Sequence, residues 1–184
     1  AKSRLSVFDK SFKEEKDYWV KKLEHDVEAT ELATDFVRVA GSAVETDSFD
    51  FDLSTEVSLR LAKLAGDSQF LIYVALMASL NVCLQKYTGA RNIKVGSPAR
   101  LKDGDAPVNA LAIVNAVDSN APFRTLLMSV RETLIEAYAK QNYPYERVLR
   151  DLNLDSITNR CPLFGVTLAL ETVHGELPPL NIDV

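Results

Sequence analysis

The sequence is poor in the residues on which most catalytic and metal sites depend. Its 184 residues include two histidines, His25 and His174, and two cysteines, Cys83 and Cys161. No Cys-x-x-Cys or His-x-x-x-His spacing occurs, so the sequence predicts no metal site. A histidine-based mechanism would rest on two isolated residues, and for each of them we expect a surface role.

Glycine is also scarce, and the seven glycines are scattered singly along the chain. A phosphate-binding loop needs several closely spaced glycines, so that backbone N–H groups can converge on the anion. A nucleophile elbow would require Gly-x-Ser-x-Gly, and the Gly-Ser pairs at 41–42 and 96–97 lack the second glycine. The sequence therefore predicts neither nucleotide binding of these types nor a serine hydrolase.

Positive charge is in deficit, because 21 lysines and arginines face 26 acidic residues. A net charge of −5 argues against partners such as nucleic acid or an anionic membrane, which would need clustered cations. Adjacent carboxylates, at 14–15, 50 and 52, and 103 and 105, lie in polar segments where we expect them to be solvated. The two distant cysteines predict buried thiols in a reducing, cytoplasmic compartment.

Hydrophobic periodicity predicts an α/β layer fold in a chain long enough for one domain or one lobe. The predicted helices cover residues 12–24, 54–65, 68–87, 122–143 and 145–152. The predicted strands cover residues 36–40, 47–53, 92–96, 111–117 and 166–170, and another begins at 180–184. Residues 1–10 are expected to form an arm. The apolar stretch 70–84 is shorter than the ~20 residues that span a bilayer, so we expect a central buried helix.

One segment stands out at the junction of the last two predicted helices. In Lys-Gln-Asn-Tyr-Pro-Tyr-Glu, residues 140–146, the proline leaves the amides of Gln141 and Asn142 near a helix end. A local explanation is complete, since Pro144 begins a helix and Glu146 stabilises its first turn. Arg160 lies in a loop before a buried strand, where it could reach a carboxylate or backbone carbonyls. These residues alone leave open whether they line a functional surface.

These segments resemble motifs of the condensation domains of nonribosomal peptide synthetases. Residues 140–146 resemble the family's His/Asn-Gln-Asp-Tyr/Val-Pro-Phe-Glu, with matches that include Gln141, Tyr143 and Glu146. Residues 159–164 resemble Ser-Arg-Asn-Pro-Leu through Arg160, and residues 113–117 resemble Gly-x-Phe-Val-Asn-Thr through Asn115. Three further segments, 16–23, 89–100 and 123–141, resemble the family in the same order.

The resemblance is to the carboxy-terminal half of such a domain. The family's catalytic His-His-x-x-x-Asp-Gly motif is absent, and Asn109 stands where the family often has glycine. The resemblance implies a single chloramphenicol acetyltransferase-like lobe over residues 11–184, with a mixed β-sheet flanked by long helices. It implies no catalytic residue and no metal ligand in this chain. It places Asn115, Gln141, Tyr143 and Glu146 at or near a substrate channel or lobe interface, with Arg160 bracing a loop there.

The resemblance also implies a chemistry and a set of partners. In the family, an amine on one phosphopantetheine arm attacks a thioester on another, and a histidine of the missing motif positions or deprotonates the amine. Our first hypothesis is a truncated condensation domain that serves as a docking platform for an adenylation or peptidyl carrier domain and is inactive alone. The alternative is a fragment of an active domain, which forms the amide bond once the amino-terminal lobe is present.

Other expectations follow from the same resemblance. Epimerisation, heterocyclisation and ester formation use related domains, and the motifs present do not separate these reactions. No cofactor is expected to bind the chain directly, since phosphopantetheine belongs to the carrier protein. One lobe exposes the apolar surface that its companion normally covers, so we expect that surface to be polar in this chain or buried in a homodimer.

Overall fold

The computed structural model describes residues 2–35, 47–100, 109–154 and 161–175, and the side chains from residue 10 onward within these ranges. The described residues form an α/β fold, as the sequence predicts. In chain order the elements are α1 (Lys2–Leu23), α2 (Thr55–Ala65), α3 (Gln69–Thr88), β1 (Asn92–Pro98), β2 (Ala110–Ala116), α4 (Phe123–Ala139), α5 (Tyr145–Asp151) and α6 (Glu171–His174).

The described sheet has two antiparallel strands, β1 and β2, rather than the mixed sheet that the resemblance implies, and a single parallel bridge adjoins β1. Strands β1 and β2 pair antiparallel, with Ile93 opposite Asn115. On the other side of β1, the Gly96 N–H donates to the Val166 carbonyl at 2.8 Å, and Leu168 N–H donates to the Gly96 carbonyl at 2.9 Å. The strand predicted over residues 166–170 is thus present only as a parallel bridge at Thr167, because the chain then turns into α6.

The core lies between the sheet and helices α3 and α4. Directly opposed residues of an antiparallel pair share a face, so Asn115 lies on the face of Ile93, Val95 and Ser97. Ser97 contacts Tyr73 of α3, which shows that this face is covered by the helix. Helix α3 is long and apolar enough to span a membrane by length and composition alone, and 39% of that stretch is buried. Its position confirms the prediction of a central helix.

The opposite face of β1 is held to the loop that follows α1. Lys94 is only 2% exposed, and its ammonium forms an ion pair with Asp26 and donates to the Glu28 carbonyl. The Lys94 N–H donates to the Thr30 hydroxyl at 2.9 Å. A buried lysine is tolerated here because its charge is paired and hydrogen-bonded. This contact fixes the path of the chain from α1 to the sheet.

Short polar residues and glycines set the ends of α2 and α3, as predicted. Ser54 accepts a hydrogen bond from the Val57 N–H, and Ser68 accepts one from the Leu71 N–H. Gly66 follows α2 and Gly89 follows α3, each in the left-handed conformation that ends a helix.

Several sequence predictions need correction or fall outside the described residues. Helix α1 begins at Lys2, so the segment expected to be an arm is helical; no proline or glycine interrupts it. Residues 47–53, predicted as a strand, pair with none of the described residues and form no strand. The strands predicted at 36–40 and 180–184 lie outside the described residues, as do Arg160 and the acidic pair at 103 and 105.

The cysteines are less buried than expected. Cys83 is exposed, so the prediction of a buried thiol is wrong for this residue. The buried residues of α3 recur at helical spacing, and Cys83 falls on the opposite side of the helix from Asn81 and Leu84. Cys161 is half-buried, with its sulfur 2.8 Å from the Tyr145 hydroxyl.

The close approach at Gly96 yields a stability prediction. A Cβ at this position would lie 2.6 Å from Cδ2 of Phe164 and 2.7 Å from Oγ1 of Thr167. We expect Gly96→Ala to lower the free energy of unfolding by about 1–3 kcal/mol, because one of these side chains must move. Urea denaturation measures this change. The control Asn92→Ala, at the exposed start of β1, should change it by less than about 0.5 kcal/mol.

Candidate functional site

Gln141, in the segment that resembles the family motif, forms hydrogen bonds with the backbone just after β1. Its Oε1 accepts from the Arg100 N–H at 2.8 Å, and its Nε2 donates to the Arg100 carbonyl at 3.2 Å. The side chain of Gln141 therefore satisfies both backbone polar groups of Arg100. Gln141 is 7% exposed, so its amide is committed to holding the chain together.

Asn109 binds the same junction from the start of β2. Its Nδ2 donates to the carbonyls of Gln141 and Tyr143, both at 2.8 Å, and its Oδ1 accepts from the Tyr145 N–H at 2.9 Å. The sequence analysis did not identify Asn109 as a site residue. One feature of the sequence could have identified it: the residue is asparagine, where the family often has glycine.

Helix α1 contacts the junction from a third direction. Glu15 accepts from the Asn142 N–H at 2.9 Å and from its side-chain Nδ2 at 3.2 Å. The indole N–H of Trp19 donates to the Lys140 carbonyl at 2.8 Å. Glu15 is 3% exposed, so the expectation that it is solvated is wrong. We call residues 140–145, together with Glu15, Trp19, Arg100 and Asn109, the junction clamp.

Tyr143 connects the junction clamp to α5 and α1. Its hydroxyl donates to Asp151 Oδ2 at 2.5 Å, and Lys16 forms an ion pair with the same carboxylate at 2.7 Å. Burial raises the pKa of Tyr143 to about 12, and the hydrogen bond to Asp151 acts in the same direction. Burial alone would raise the pKa of Asp151, but the hydrogen bonds from Lys16 and Tyr143 outweigh it and lower that pKa.

The other predicted site residues do not join this group. Glu146 is exposed in the first turn of α5, where a carboxylate suits the helix dipole. Asn115 is 2% exposed within the sheet face covered by α3, and neither atom of its side-chain amide has a hydrogen-bond partner among the described residues. The structure therefore brings Gln141 and Tyr143 together, leaves Glu146 at the surface and places Asn115 in the core. The position of Arg160 lies outside the described residues.

A second polar group, missed by the sequence analysis, lies next to the junction clamp. We call Tyr73, Ser97, Tyr138 and His174 the buried polar cluster. The Tyr138 hydroxyl lies 2.8 Å from His174 Nε2 and 3.1 Å from Ser97 Oγ. The Tyr73 hydroxyl lies 2.8 Å from Ser97 Oγ, so the cluster joins α3, β1, α4 and α6.

His174 is fully buried, so the expectation of a surface role for it is wrong. Helix α6 turns its last residue inward, and His174 Nδ1 lies within 3.1 Å of the backbone N–H and carbonyl of Leu170. Burial lowers the pKa of His174, and the nearby charge of Arg100 acts in the same direction, whereas the backbone contact with Leu170 opposes it. His25, by contrast, is exposed as expected.

Arg100, whose backbone belongs to the junction clamp, also contacts the buried polar cluster through its side chain. Its guanidinium carbon is 5.6 Å from the ring centroid of Phe70 and 5.7 Å from that of Tyr138. The junction clamp fixes its backbone, and the aromatic rings fix its side chain.

The buried polar cluster contains a serine and a histidine but is not arranged as a catalytic pair. Ser97 Oγ and His174 Nε2 are 3.5 Å apart, and both residues are fully buried. Across the described ranges, no group of three or more His, Cys, Asp or Glu residues is placed to hold a metal ion. The cluster is therefore a structural network.

Comparison with known proteins identifies the fold. The chain superposes on a four-domain nonribosomal peptide synthetase bound to AMP and glycine with a TM-score of 0.76 at 23% identity, covering 88% of this chain and 13% of that one. It superposes on the X-domain from teicoplanin biosynthesis with a TM-score of 0.76 at 18% identity, covering 96% and 43%. The fold is thus that of a condensation-type domain.

The sequence comparisons define the family. The model of the condensation domain matches residues 6–181, and the chain belongs to this family. It is 32% identical over 171 residues to bacitracin synthase 3 of Bacillus licheniformis, covering 89% of this chain and 3% of that protein. It is 31% identical over 179 residues to a plipastatin synthase polypeptide of Bacillus subtilis, covering 94% and 5%. The chain thus spans a small part of the curated relatives it matches.

The junction clamp predicts a large effect for Asn109. We expect Asn109→Ala to lower the free energy of unfolding by about 2–3 kcal/mol, because two carbonyls and one N–H lose their partner. Chemical denaturation followed by Trp19 fluorescence reports the change. Asn120→Ala, in an exposed turn, is the matched control. Equal stabilities of the two variants would contradict the role given to Asn109.

His174 predicts a pH dependence. Because the folded pKa lies below the unfolded value of about 6.5, unfolded histidine binds a proton more readily, and stability is lost as pH falls from the unfolded to the folded pKa. The groups that face His174 are Tyr73, Ser97, Tyr138 and Arg100, with no carboxylate among its described contacts.

We expect His174→Gln to be less stable than the unmodified chain at pH 8 and to lack the loss of stability that His174 causes as pH falls below about 6.5. His25→Gln, at an exposed position, should retain it. Thermal unfolding between pH 5 and 8 measures both. A pH profile of His174→Gln that parallels that of the unmodified chain would contradict the assignment.

Proposed function

We propose that the chain is one lobe of a condensation domain and serves as a docking and structural platform that does not form amide bonds alone. The observation that carries this proposal is that these polar residues are held in hydrogen-bonded groups within the fold. Gln141 and Tyr143, which resemble a family motif, are bound within the junction clamp, and His174 is enclosed in the buried polar cluster. The remaining histidine, His25, is exposed, with a described contact to Glu24 only.

A second candidate function follows from the coverage of the matched structures. The chain covers 35% of the starter condensation domain of rhizomide synthetase in a complex with C8-CoA, with a TM-score of 0.63 at 18% identity. In this candidate the chain is the carboxy-terminal part of an active condensation domain. The companion lobe supplies the catalytic histidines, and the present chain supplies the surface against which they act.

Both candidates use the same partners. Carrier domains would present aminoacyl or peptidyl thioesters on phosphopantetheine arms, and an adenylation domain would adjoin the lobe. These partners are proposed because the relatives are long synthetases of which this chain matches a small part. A cytoplasmic location fits the same proposal. The chain itself would contribute shape and binding surface, while the amine and the thioester that react both belong to the carriers.

The two candidates are separated by a complementation assay. The chain is incubated with donor and acceptor thioesters on carrier proteins, with and without a separately expressed amino-terminal lobe from the matched bacitracin synthase 3 domain. Amide product is followed by mass spectrometry. We expect no product from the chain alone, because His174 is fully buried and the exposed His25 lies outside both polar groups.

Product formed only with the added lobe would support the active fragment and contradict the platform. No product in either mixture, with binding of the carrier or adenylation domain retained, would support the platform. Product from the chain alone would contradict both candidates. His25→Ala should leave every outcome unchanged, since His25 is exposed and lies outside both polar groups.

A further inference from the structure

The segment before α2 has the sequence of a half-buried strand but lies uncovered. Phe49 is 86% exposed, Phe51 is 74% exposed and Leu53 is 48% exposed. They alternate with Ser48, Asp50 and Asp52, which is the period of a strand with one apolar and one polar face. A sequence of this kind is stable as a strand only when its apolar face is covered.

The geometry of the segment is that of an extended chain. The rings of Phe49 and Phe51 stack with centroids 6.3 Å apart and planes 23° apart. Side chains two residues apart on one face of a strand are separated by about 6.6 Å, so the two rings lie on the same side. No backbone hydrogen bond joins residues 47–53 to another described residue. Apart from the Ser48 N–H, which donates to Asp47 Oδ1 at 2.8 Å, the backbone groups of the segment have no partner among the described residues.

The negative charges on the segment disfavour its pairing with a second copy of itself. Asp50 and Asp52, on the polar face of the segment, are both exposed. Two copies of the segment paired side by side would place carboxylates opposite carboxylates, which is unfavourable in an antiparallel pair. A strand with lysine or arginine between apolar residues would place cations opposite these aspartates.

We propose that residues 47–53 form a docking edge for a β-strand of a partner polypeptide in which basic and apolar residues alternate. The partner adds to this edge through main-chain hydrogen bonds, while its apolar side chains cover Phe49, Phe51 and Leu53. The proposal rests on the proposed function, in which the chain is one lobe that acts together with further polypeptide. Strand addition also explains why these aromatic side chains remain exposed in the chain by itself.

The test uses the full 184-residue chain and a synthetic probe, acetyl-Lys-Val-Lys-Val-Lys-Val-Lys-amide. Binding is measured by calorimetry, and amide hydrogen exchange of residues 47–53 is measured by NMR. We expect a Kd of about 1 mM or lower and at least about tenfold slower exchange at alternate amides of the segment. The peptide with glutamate in place of lysine should bind at least about tenfold more weakly.

Two variants assign the binding to this edge. Phe49→Ser/Phe51→Ser should weaken binding of the lysine peptide by at least about tenfold, since it removes the apolar face. Leu59→Ser, at a residue of α2 that is 66% exposed, is the matched control and should bind as the unmodified chain does. Because the replaced side chains are exposed, the melting temperatures of both variants should stay within about 2 °C of the original.

Four results would overturn the proposal. Slow exchange of residues 47–53 in the free monomer would show that the segment is already paired within its own chain. A dimer in sedimentation, with protection that depends on concentration, would identify a second copy as the occupant. Equal binding of the lysine and glutamate peptides would show that the edge is not recognised. Equal binding of the lysine peptide by the double variant and by the unmodified chain would show the same. None of these measurements depends on amide synthesis, so the proposed function is tested separately.

Discussion

The hydrogen bonding of the junction between α4 and α5 is the constraint on which the rest of the lobe depends. Glu15 and Trp19 bind this junction from α1, Gln141 extends from it to the exit of β1, and Asn109 binds it from the start of β2. Helix α4 ends at Ala139, earlier than the predicted residue 143, and Pro144 precedes α5, so several backbone groups between the two helices lack helical partners. Side chains from distant parts of the sequence supply those partners, and this fixes α1, β1, β2, α4 and α5 relative to one another.

The junction clamp and the buried polar cluster together leave few groups for chemistry. One fixes the backbone of Arg100, and the other fixes the Tyr138 ring over which its guanidinium lies. His174, which could have served as a base, is enclosed and hydrogen-bonded to Tyr138. Both polar groups therefore serve to hold the described elements together.

Local signals predicted the elements well because they act over a few residues. The caps Ser54 and Ser68 and the apolar periods of α3 and α4 are properties of short segments. Contacts between distant residues carry no such signal. Glu15 was expected in solvent because its partner, Asn142, lies 127 positions away. His174 was expected at the surface because Tyr138 lies 36 positions before it.

The resemblance to the condensation-domain family singled out residues that hydrophobic periodicity could not identify. It placed Gln141 and Tyr143 at an important position, but it did not distinguish a substrate channel from a structural clamp, since both require a fixed geometry. Residues 47–53 show the reverse case: their alternation predicts a strand, but they form none with the described residues.

The central claim is that the junction clamp is a rigid part of the fold, and amide hydrogen exchange tests it most directly. The N–H groups of Arg100, Asn142 and Tyr145 each donate to a side chain of the clamp. The account predicts that these three amides exchange only through global unfolding, with the same free energy as core amides of β1. Exchange at the rate of exposed amides, under conditions where β1 stays protected, would contradict it.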